Sequence, residues 1–436
     1  MKYSITTLGC KVNQYETQAI ETMLQERGYN PAQEDGSADV VIINTCAVTA
    51  ESGRKSRQAI RRLKSRNPGA VVAVCGCFSQ VSPQEMVELG ADIVFGSGDR
   101  KKLVEEIHRL VKERKNRTST EPAPVCSVDN PFKRQGFEKL PAGSVSGRTR
   151  AMLKIQDGCD NFCTYCVIPY ARGRVLSLPL EEAAAQAAAL ESEGYRELVI
   201  TGIEIASYGK DFRNGVGLAD VVKAIARAAP GLRLRLGSLE PTIITREFCR
   251  RLAAAGKVCR HFHLSLQSGC DEILRRMGRK YDTARFFKAT ELLREYFPRC
   301  GLTADLIVGF PGETEEQHAS TLEFIQKCSF SSMHIFPYSV RPGTKAAKME
   351  GRLSRVVKTK RAAQAQAVAD AMEIAFLESC IGDTLPVLFE TEAEGICIGH
   401  ADNYCQVSVP GRDLRGLVKN VKIEGLKDKI LVGYTV

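Results

Sequence analysis

Ala151-Met152-Leu153-Lys154-Ile155-Gln156-Asp157-Gly158-Cys159-Asp160-Asn161-Phe162-Cys163-Thr164-Tyr165-Cys166 runs from a largely apolar stretch through a glycine into three cysteines spaced four and then three residues apart. The apolar part reads as a strand, and the cysteines sit on the loop that leaves it. Three thiolates can hold three corners of a 4Fe–4S cube, leaving the fourth iron open to a small molecule, whereas four-cysteine patterns close such a cluster for electron transfer. A zinc site is the competing reading. It usually takes four ligands from paired knuckles, and no cysteine or histidine pair with finger spacing lies nearby. The nearest cysteines are Cys126 upstream and Cys249 downstream.

Around this loop, strand and helix signals alternate. The strand candidates after Thr149 are Ala151–Gln156, Leu198–Thr201, Arg233–Gly237, Phe262–Gln267, Leu302–Gly309 and Met333–Tyr338. The clearest helical patterns are Leu180–Glu193, Leu218–Ala229 and Tyr281–Phe297. Six strand–helix units fit a partial (βα)6 barrel better than a closed eight-stranded one, over residues 148–375. In barrels of this kind the chemistry gathers at the C-terminal ends of the strands, where the cysteine loop lies.

Residues 1–112 alternate in the same way, with Val40–Asn44 and Val71–Cys75 as short apolar strands, which indicates a parallel α/β sandwich. Residues 113–147 are rich in proline and polar side chains and read as an extended or partly mobile linker. A long alanine-rich helix from about Leu353 to Leu377 leads into residues 376–436. There Leu385–Thr391, Tyr404–Val409, Gly416–Ile423 and Lys429–Val436 suggest a small β-barrel.

In the N-terminal segment, Cys10, Cys46 and Cys77 each follow a strand candidate. Parallel strands of one sheet end on a common edge, so three sequence-distant thiols can converge there and suit a second cluster with an open iron. Gly9 and Gly76 precede two of them and permit tight turns. Cys75 competes with Cys77, but it closes the apolar run Val71–Val74 and reads as core, while Cys77 lies beyond it.

Composition bounds the rest. The 436 residues include 16 cysteines and no tryptophan, and the net charge is +10. No run of 18 apolar residues suggests a membrane span. The first residues read as a strand rather than a secretory segment. Both observations point to the cytoplasm, where cysteines serve more often as ligands or small core residues than in disulfides. The positive charge suits a polyanionic partner. With aromatics at only 7%, broad stacking on single-stranded nucleic acid is not the obvious mode.

Leu8-Gly9-Cys10-Lys11-Val12-Asn13-Gln14-Tyr15-Glu16-Thr17, Asn44-Thr45-Cys46 and Gly76-Cys77-Phe78-Ser79-Gln80 resemble the N-terminal domain of the methylthiotransferases. Cys159–Cys166 with Pro169-Tyr170-Ala171-Arg172-Gly173-Arg174 resembles the radical S-adenosylmethionine core of that family, and the closing β domain resembles a TRAM module, an RNA-binding barrel. The string after Leu8 is most similar to the subgroup that modifies threonylcarbamoyladenosine in tRNA.

The resemblance implies two 4Fe–4S clusters, on Cys10, Cys46, Cys77 and on Cys159, Cys163, Cys166, together with S-adenosylmethionine. It implies that the clusters carry the radical chemistry, that a methylthio group reaches carbon 2 of the adenine, and that the partners are tRNA, an electron donor and a sulfur source. Relatives act on isopentenyladenosine in tRNA or on a ribosomal-protein aspartate. A non-enzymatic RNA-binding iron–sulfur sensor is the alternative of another class, although two cysteine sets exceed what a sensor needs.

Other positions follow with less force. Gly309-Phe310-Pro311-Gly312 resembles the superfamily's adenine-contacting segment. His263, Ser265 and Gln267 share one strand face and are candidates to meet S-adenosylmethionine, with Ser238 and Glu240 weaker. Asp157 reads as an exposed loop aspartate. Basic residues from Lys345 to Arg361, and Arg412, Arg415, Lys419, Lys422, Lys427 and Lys429, are candidate phosphate contacts. One departure stands out: Leu176 and Leu178 flank Ser177 where the family often carries arginines.

Overall fold

The computed structural model describes residues 1–33, 37–116, 123–141 and 149–436. Of the linker expected over 113–147, residues 117–122 and 142–147 lie outside the described residues. The chain divides into two compact units. The first holds Met1–Val145, Gln156–Leu178 and Val340–Thr344; the second holds Ser146–Ile155, Pro179–Ser339 and Lys345–Val436.

The first unit is built on β1 (Lys2–Thr7), β2 (Asn30–Pro31), β3 (Val40–Thr45), β4 (Val71–Gly76), β5 (Ile93–Phe95) and β6 (Val125–Ser127), in the spatial order β2-β1-β3-β4-β5-β6 with every pair parallel. All six residues of β3 and of β4 are buried. That is why these strands read as continuous apolar runs rather than alternating ones. Helices over Lys11–Gln25, Ala50–Arg66 and Arg100–Asn116 accompany them. The second of these starts at a capping box in which Thr49 and Ser52 satisfy each other's backbone N–H. Because β1, β3 and β4 are neighbours, the chain leaves three adjacent strands at one edge. The sixth strand is a departure from the sequence reading: Val125–Ser127, expected as linker, pairs with β5.

Strand β7 (Arg150–Asp157) begins in the second unit and ends in the first, where Gln156 and Asp157 pair with β8 (Leu176–Ser177). The second unit continues with β9 (Glu197–Gly202), β10 (Arg233–Leu236), β11 (His261–Gln267), β12 (Gly301–Val308) and β13 (Ser332–Pro337). The pairs β9–β10, β11–β12 and β12–β13 are parallel, and bridges from Leu234 to Val258 and from Leu239 to Leu264 link the two sheets. With β7 these make the six strands of the expected βα arrangement. Along β11, Phe262, Leu264 and Leu266 are buried, while His263, Ser265 and Gln267 are half-buried on the opposite face.

A 25-residue helix, Arg355–Ser379, capped by Ser354, leads to β14 (Thr384–Ala393), β15 (Ile396–Ala401), β16 (Gln406–Pro410), β17 (Val418–Lys427) and β18 (Ile430–Thr435). They close into a barrel in the order β14-β15-β16-β18-β17 around Val387, Phe389, Val407, Val409, Val421 and Leu431. The sequence pattern suggests four strands here; β15 completes the ring.

Candidate functional site

Asn13 holds the strand ends from which two of the N-terminal cysteines emerge. Its side-chain amide donates to the carbonyls of Leu8 (2.8 Å) and Thr45 (2.9 Å). Those residues lie just before Cys10 and Cys46. Asn44 answers by donating to the Asn13 carbonyl at 3.0 Å. Thr45 Oγ1 donates to the Cys75 carbonyl at 2.7 Å and accepts from the Ser79 amide at 3.2 Å, which ties the Cys46 exit to the Cys77 exit. Ser79 Oγ is held against the carbonyls of Gly76 (3.0 Å) and Phe95 (2.6 Å). Asn13, Asn44, Thr45 and Ser79 therefore secure the strand ends beside the thiols.

Glycine is required at Gly9, where φ is +101° and a Cβ would stand 2.7 Å from Cys46 Sγ. The same holds at Gly76, with φ +102° and a Cβ 2.5 Å from Asn44 Oδ1. Cys10 lies at the surface, and Cys46 and Cys77 are buried. Cys75 lies inside β4, fully buried, and burial pushes its thiol up to about 12.

The loop after β7 closes against its own continuation. The Cys159 amide donates to the Gly173 carbonyl and the Cys166 amide to the Cys163 carbonyl, each at 3.0 Å. Gly158, with φ +71°, has no room for a side chain because the Arg174 carbonyl lies against it. Cys163 is buried, and Cys159 and Cys166 are half-buried.

Arg172, on the helix that follows the Cys159–Cys166 loop, reaches the N-terminal cysteines within the first unit. It is fully buried, and its Nε donates to Cys77 Sγ at 3.1 Å. Its other nitrogens reach Asn13 Oδ1 at 2.8 Å and the Glu16 carboxylate. Glu16 is also paired with buried Arg100 at 2.5 Å. Asp157 is not the exposed loop residue expected. It is 9% exposed, caps the Gly158 amide at 2.8 Å and faces Arg172 at 3.3 Å. Burial raises the Cys77 thiol, and the Arg172 guanidinium opposes that rise by favouring the thiolate.

A residue the sequence reading missed stands near Cys46. Val340–Thr344 packs into the first unit, and Arg341 on it is 8% exposed with no hydrogen-bond partner for its Nε among the described residues. Burial, partly offset by Cys46, pulls its protonation downward. A buried guanidinium whose Nε is left unpartnered can take an anionic acceptor there. Arg341 lies 295 residues beyond Cys46, and no spacing signal marks it.

Each set offers three sulfur donors, the ligand number of a 4Fe–4S cube with one open iron, and neither set is drawn together as one zinc ion would draw it. A tetrahedral zinc would draw thiolates to about 3.8 Å of one another. Among the described residues the group whose three donor atoms lie within 4.8 Å of one another is His263, Asp305 and His334, not a cysteine set.

In the second unit, Gly309 has φ +72° and its amide donates to Glu313 at 2.7 Å, and Gly312 has φ +71°. Phe310 is wholly buried and meets Tyr338 edge-on at 5.2 Å, so it offers only its backbone to a ligand. Pro311 is buried beside it. Gln267 carries φ +66° at a register shift between β11 and β12. His263 bonds Thr303 at 2.9 Å and faces Asp305 at 3.3 Å. Glu240 is buried and paired with Arg279 at 3.3 Å. Glu204 interacts with Glu240, and burial together with the Glu240 carboxylate pushes it up to about 7.

Two basic residues proposed for phosphate turn inward instead. Arg361 is buried on Glu313 at 2.7 Å, and Lys358 donates to the Tyr338 carbonyl at 3.0 Å. Lys429 is paired with Asp370 and Glu373.

Among the described residues no helix is long and apolar enough to cross a membrane. Residues 153–325 match the model of the radical SAM superfamily, and residues 2–96 match Uncharacterized protein family UPF0004. The chain is 40% identical over 425 residues to the threonylcarbamoyladenosine tRNA methylthiotransferase MtaB of Bacillus subtilis, covering 96% of this chain and 92% of that one. It is 37% identical to the protein of the same name from Thermotoga maritima, over 98% and 95% of the two chains. It is 34% identical to the tRNA-2-methylthio-N(6)-dimethylallyladenosine synthase of Symbiobacterium thermophilum, over 96% and 91%. In fold it is similar to the radical S-adenosylmethionine methyltransferase TsrM of Kitasatospora setae, whose structure holds cobalamin and a [4Fe-4S] cluster (TM-score 0.56, 18% identity, 91% of this chain and 80% of that one). Spanned almost end to end by relatives of this identity, the chain belongs to the radical S-adenosylmethionine tRNA methylthiotransferase family.

Proposed function

We propose that this chain adds a methylthio group to carbon 2 of threonylcarbamoyladenosine in tRNA. The observation that carries the reading is the convergence of Cys10, Cys46 and Cys77 at one sheet edge, with Arg172 of the second cysteine motif bonded to Cys77 at 3.1 Å. A simple electron carrier or sensor has no use for two such sets.

Cys10, Cys46 and Cys77 would hold one 4Fe–4S cluster, and Cys159, Cys163 and Cys166 the other. When bound, the clusters and S-adenosylmethionine supply the one-electron chemistry that opens an inert carbon–hydrogen bond, beyond the reach of acid–base side chains. The chain's own part is positional and electrostatic. Asn13, Thr45 and Ser79 set the three thiols, and Arg172 and Arg341 supply positive charge where thiolates and sulfide accumulate. His263, Ser265 and Gln267 present a half-buried polar face to S-adenosylmethionine, and Gly309 and Gly312 allow backbone approach to its adenine. The reaction further needs a one-electron donor and a sulfur source, and a tRNA substrate supports a cytoplasmic site of action.

Nucleoside mass spectrometry of tRNA from cells lacking the chain, and from complemented cells, tests this. The methylthio group is lost from threonylcarbamoyladenosine alone and returns on complementation. Loss from isopentenyladenosine instead would keep the chemistry and shift the substrate to that of the dimethylallyladenosine relatives.

A further inference from the structure

Three aromatic rings gather at the surface of the first unit, beside the Cys159–Cys166 loop. Phe132 and Phe162 stack with centroids 6.3 Å apart and planes 10° from parallel. Tyr170 meets them edge-on, at 6.3 Å and 5.9 Å. In a chain so poor in aromatics these rings are not spent on the core. Phe132 is 39% exposed and Tyr170 45% exposed. Arg174 lies over the Phe162 ring at 5.5 Å, with its edge on Asp160 at 3.2 Å, and exposed Lys133 adjoins Phe132.

The backbone is held in an unfavourable form to present this group. Phe162 has φ +49°, a region that bulky residues avoid, and it directly precedes Cys163. Such strain persists where the surroundings impose it and concentrates at functional positions. Two exposed rings contiguous with a half-buried third make an apolar patch of the kind that marks a binding surface.

We infer that Phe132, Phe162 and Tyr170, with Arg174, form a stacking platform for an unpaired base of the tRNA substrate, next to the position that undergoes reaction. The inference rests on the tRNA-modifying function proposed above and adds to it where the RNA is gripped. Flat rings with a guanidinium in the stack match the faces of a nucleobase, and Lys133 suits the adjoining phosphate. A single platform needs few aromatics, so it is compatible with a composition that argues against stacking along an extended strand.

The test uses the full chain with both clusters reconstituted, the Phe132→Ala/Tyr170→Ala double variant, the ring-preserving Phe132→Tyr/Tyr170→Phe variant, and tRNA carrying threonylcarbamoyladenosine. The double alanine variant is expected to bind that tRNA roughly tenfold more weakly, with KM for tRNA raised to match. Its iron content and its dithionite-driven cleavage of S-adenosylmethionine without tRNA stay at the wild-type level. The ring-preserving variant keeps wild-type affinity.

Unchanged affinity in the alanine variant overturns the platform. So does equal loss in the ring-preserving variant, because stacking would then not be the cause. Unchanged tRNA affinity with turnover lost only when a flavodoxin replaces dithionite would assign the rings to an electron donor instead. A wild-type chain that leaves the tRNA unmodified would sink the functional reading itself, a result separate from any effect of the variants.

Discussion

Arg172 Nε donates to Cys77 Sγ at 3.1 Å, although 95 residues separate them. The arginine belongs to the segment just after the Cys159–Cys166 loop, and the cysteine leaves the fourth strand of the N-terminal sheet. With Glu16, Asn13 and Asp157 the pair forms a buried polar network in which each charge has a partner. Removing one member of such a network is costly because it strands the others. Arg172→Gln is expected to destabilise the chain by about 3 kcal/mol in urea denaturation and to lower iron retained by the N-terminal cysteines. Arg172→Lys recovers part of the stability but not the forked contacts.

Cys75 and Cys77 are two residues apart and face different environments, one sealed within β4 and one bonded to Arg172. Cys77→Ala is expected to halve the iron bound per chain after reconstitution. Cys75→Ala leaves the iron count unchanged and costs about 1 kcal/mol of stability for a small buried group. The Cys159→Ala/Cys163→Ala pair abolishes S-adenosylmethionine cleavage while iron at the N-terminal set remains. Iron assays and product chromatography read all three.

Arg341 is a buried guanidinium whose Nε has no partner among the described residues. Replacing it by methionine removes a desolvated charge, so the cluster-free chain is expected to gain about 1–2 kcal/mol. The same change takes away positive charge where the reconstituted protein gathers thiolates. Iron at the N-terminal set is therefore lost faster to a chelator. Opposite signs in the two forms are the signature; a loss of stability in both would mean that the arginine is structural.

Glu204 gives a pH dependence. Its carboxyl is raised to about 7 in the folded chain, against 4.5 normally, by burial and then by Glu240. The folded state therefore holds the proton more tightly than the unfolded one. The associated stability is full below about pH 4.5 and is lost as pH rises through about 7, by up to about 3 kcal/mol. Glu204→Gln is expected to match the wild type at pH 5 and to be the more stable of the two at pH 8, by thermal unfolding. A constant difference between the two proteins across that range would contradict the shift.

Much of this molecule is legible in its sequence because the decisive signals are local. Val40–Ile43 and Val71–Val74 are apolar without interruption because both faces of a parallel strand are covered. Cys10, Cys46 and Cys77 could be grouped from sequence because parallel strands end on one edge. The half-buried face of His263, Ser265 and Gln267 follows from a two-residue period. Strand β6 leaves no mark in the sequence because Val125–Ser127 has a single apolar residue besides its cysteine, too short for a period to show. Strand β15 is hard to see in the sequence because Gly399 interrupts its pattern; Gly399 sits where the Leu388 backbone of β14 leaves no room for a side chain.

The sequence by itself determined the chemistry on offer: two sets of three thiols, the strands that carry them and the glycines that let the chain turn beside them. Only the tertiary structure decided which charges those thiols meet. Arg172 turns inward to Cys77 and Glu16, Asp157 leaves solvent to join it, and Arg341 arrives from far along the chain without a partner for its Nε. Spacing and period are properties of neighbours along the backbone. Electrostatic pairing in a buried site depends on distance through space and on exclusion of water, which no local pattern encodes.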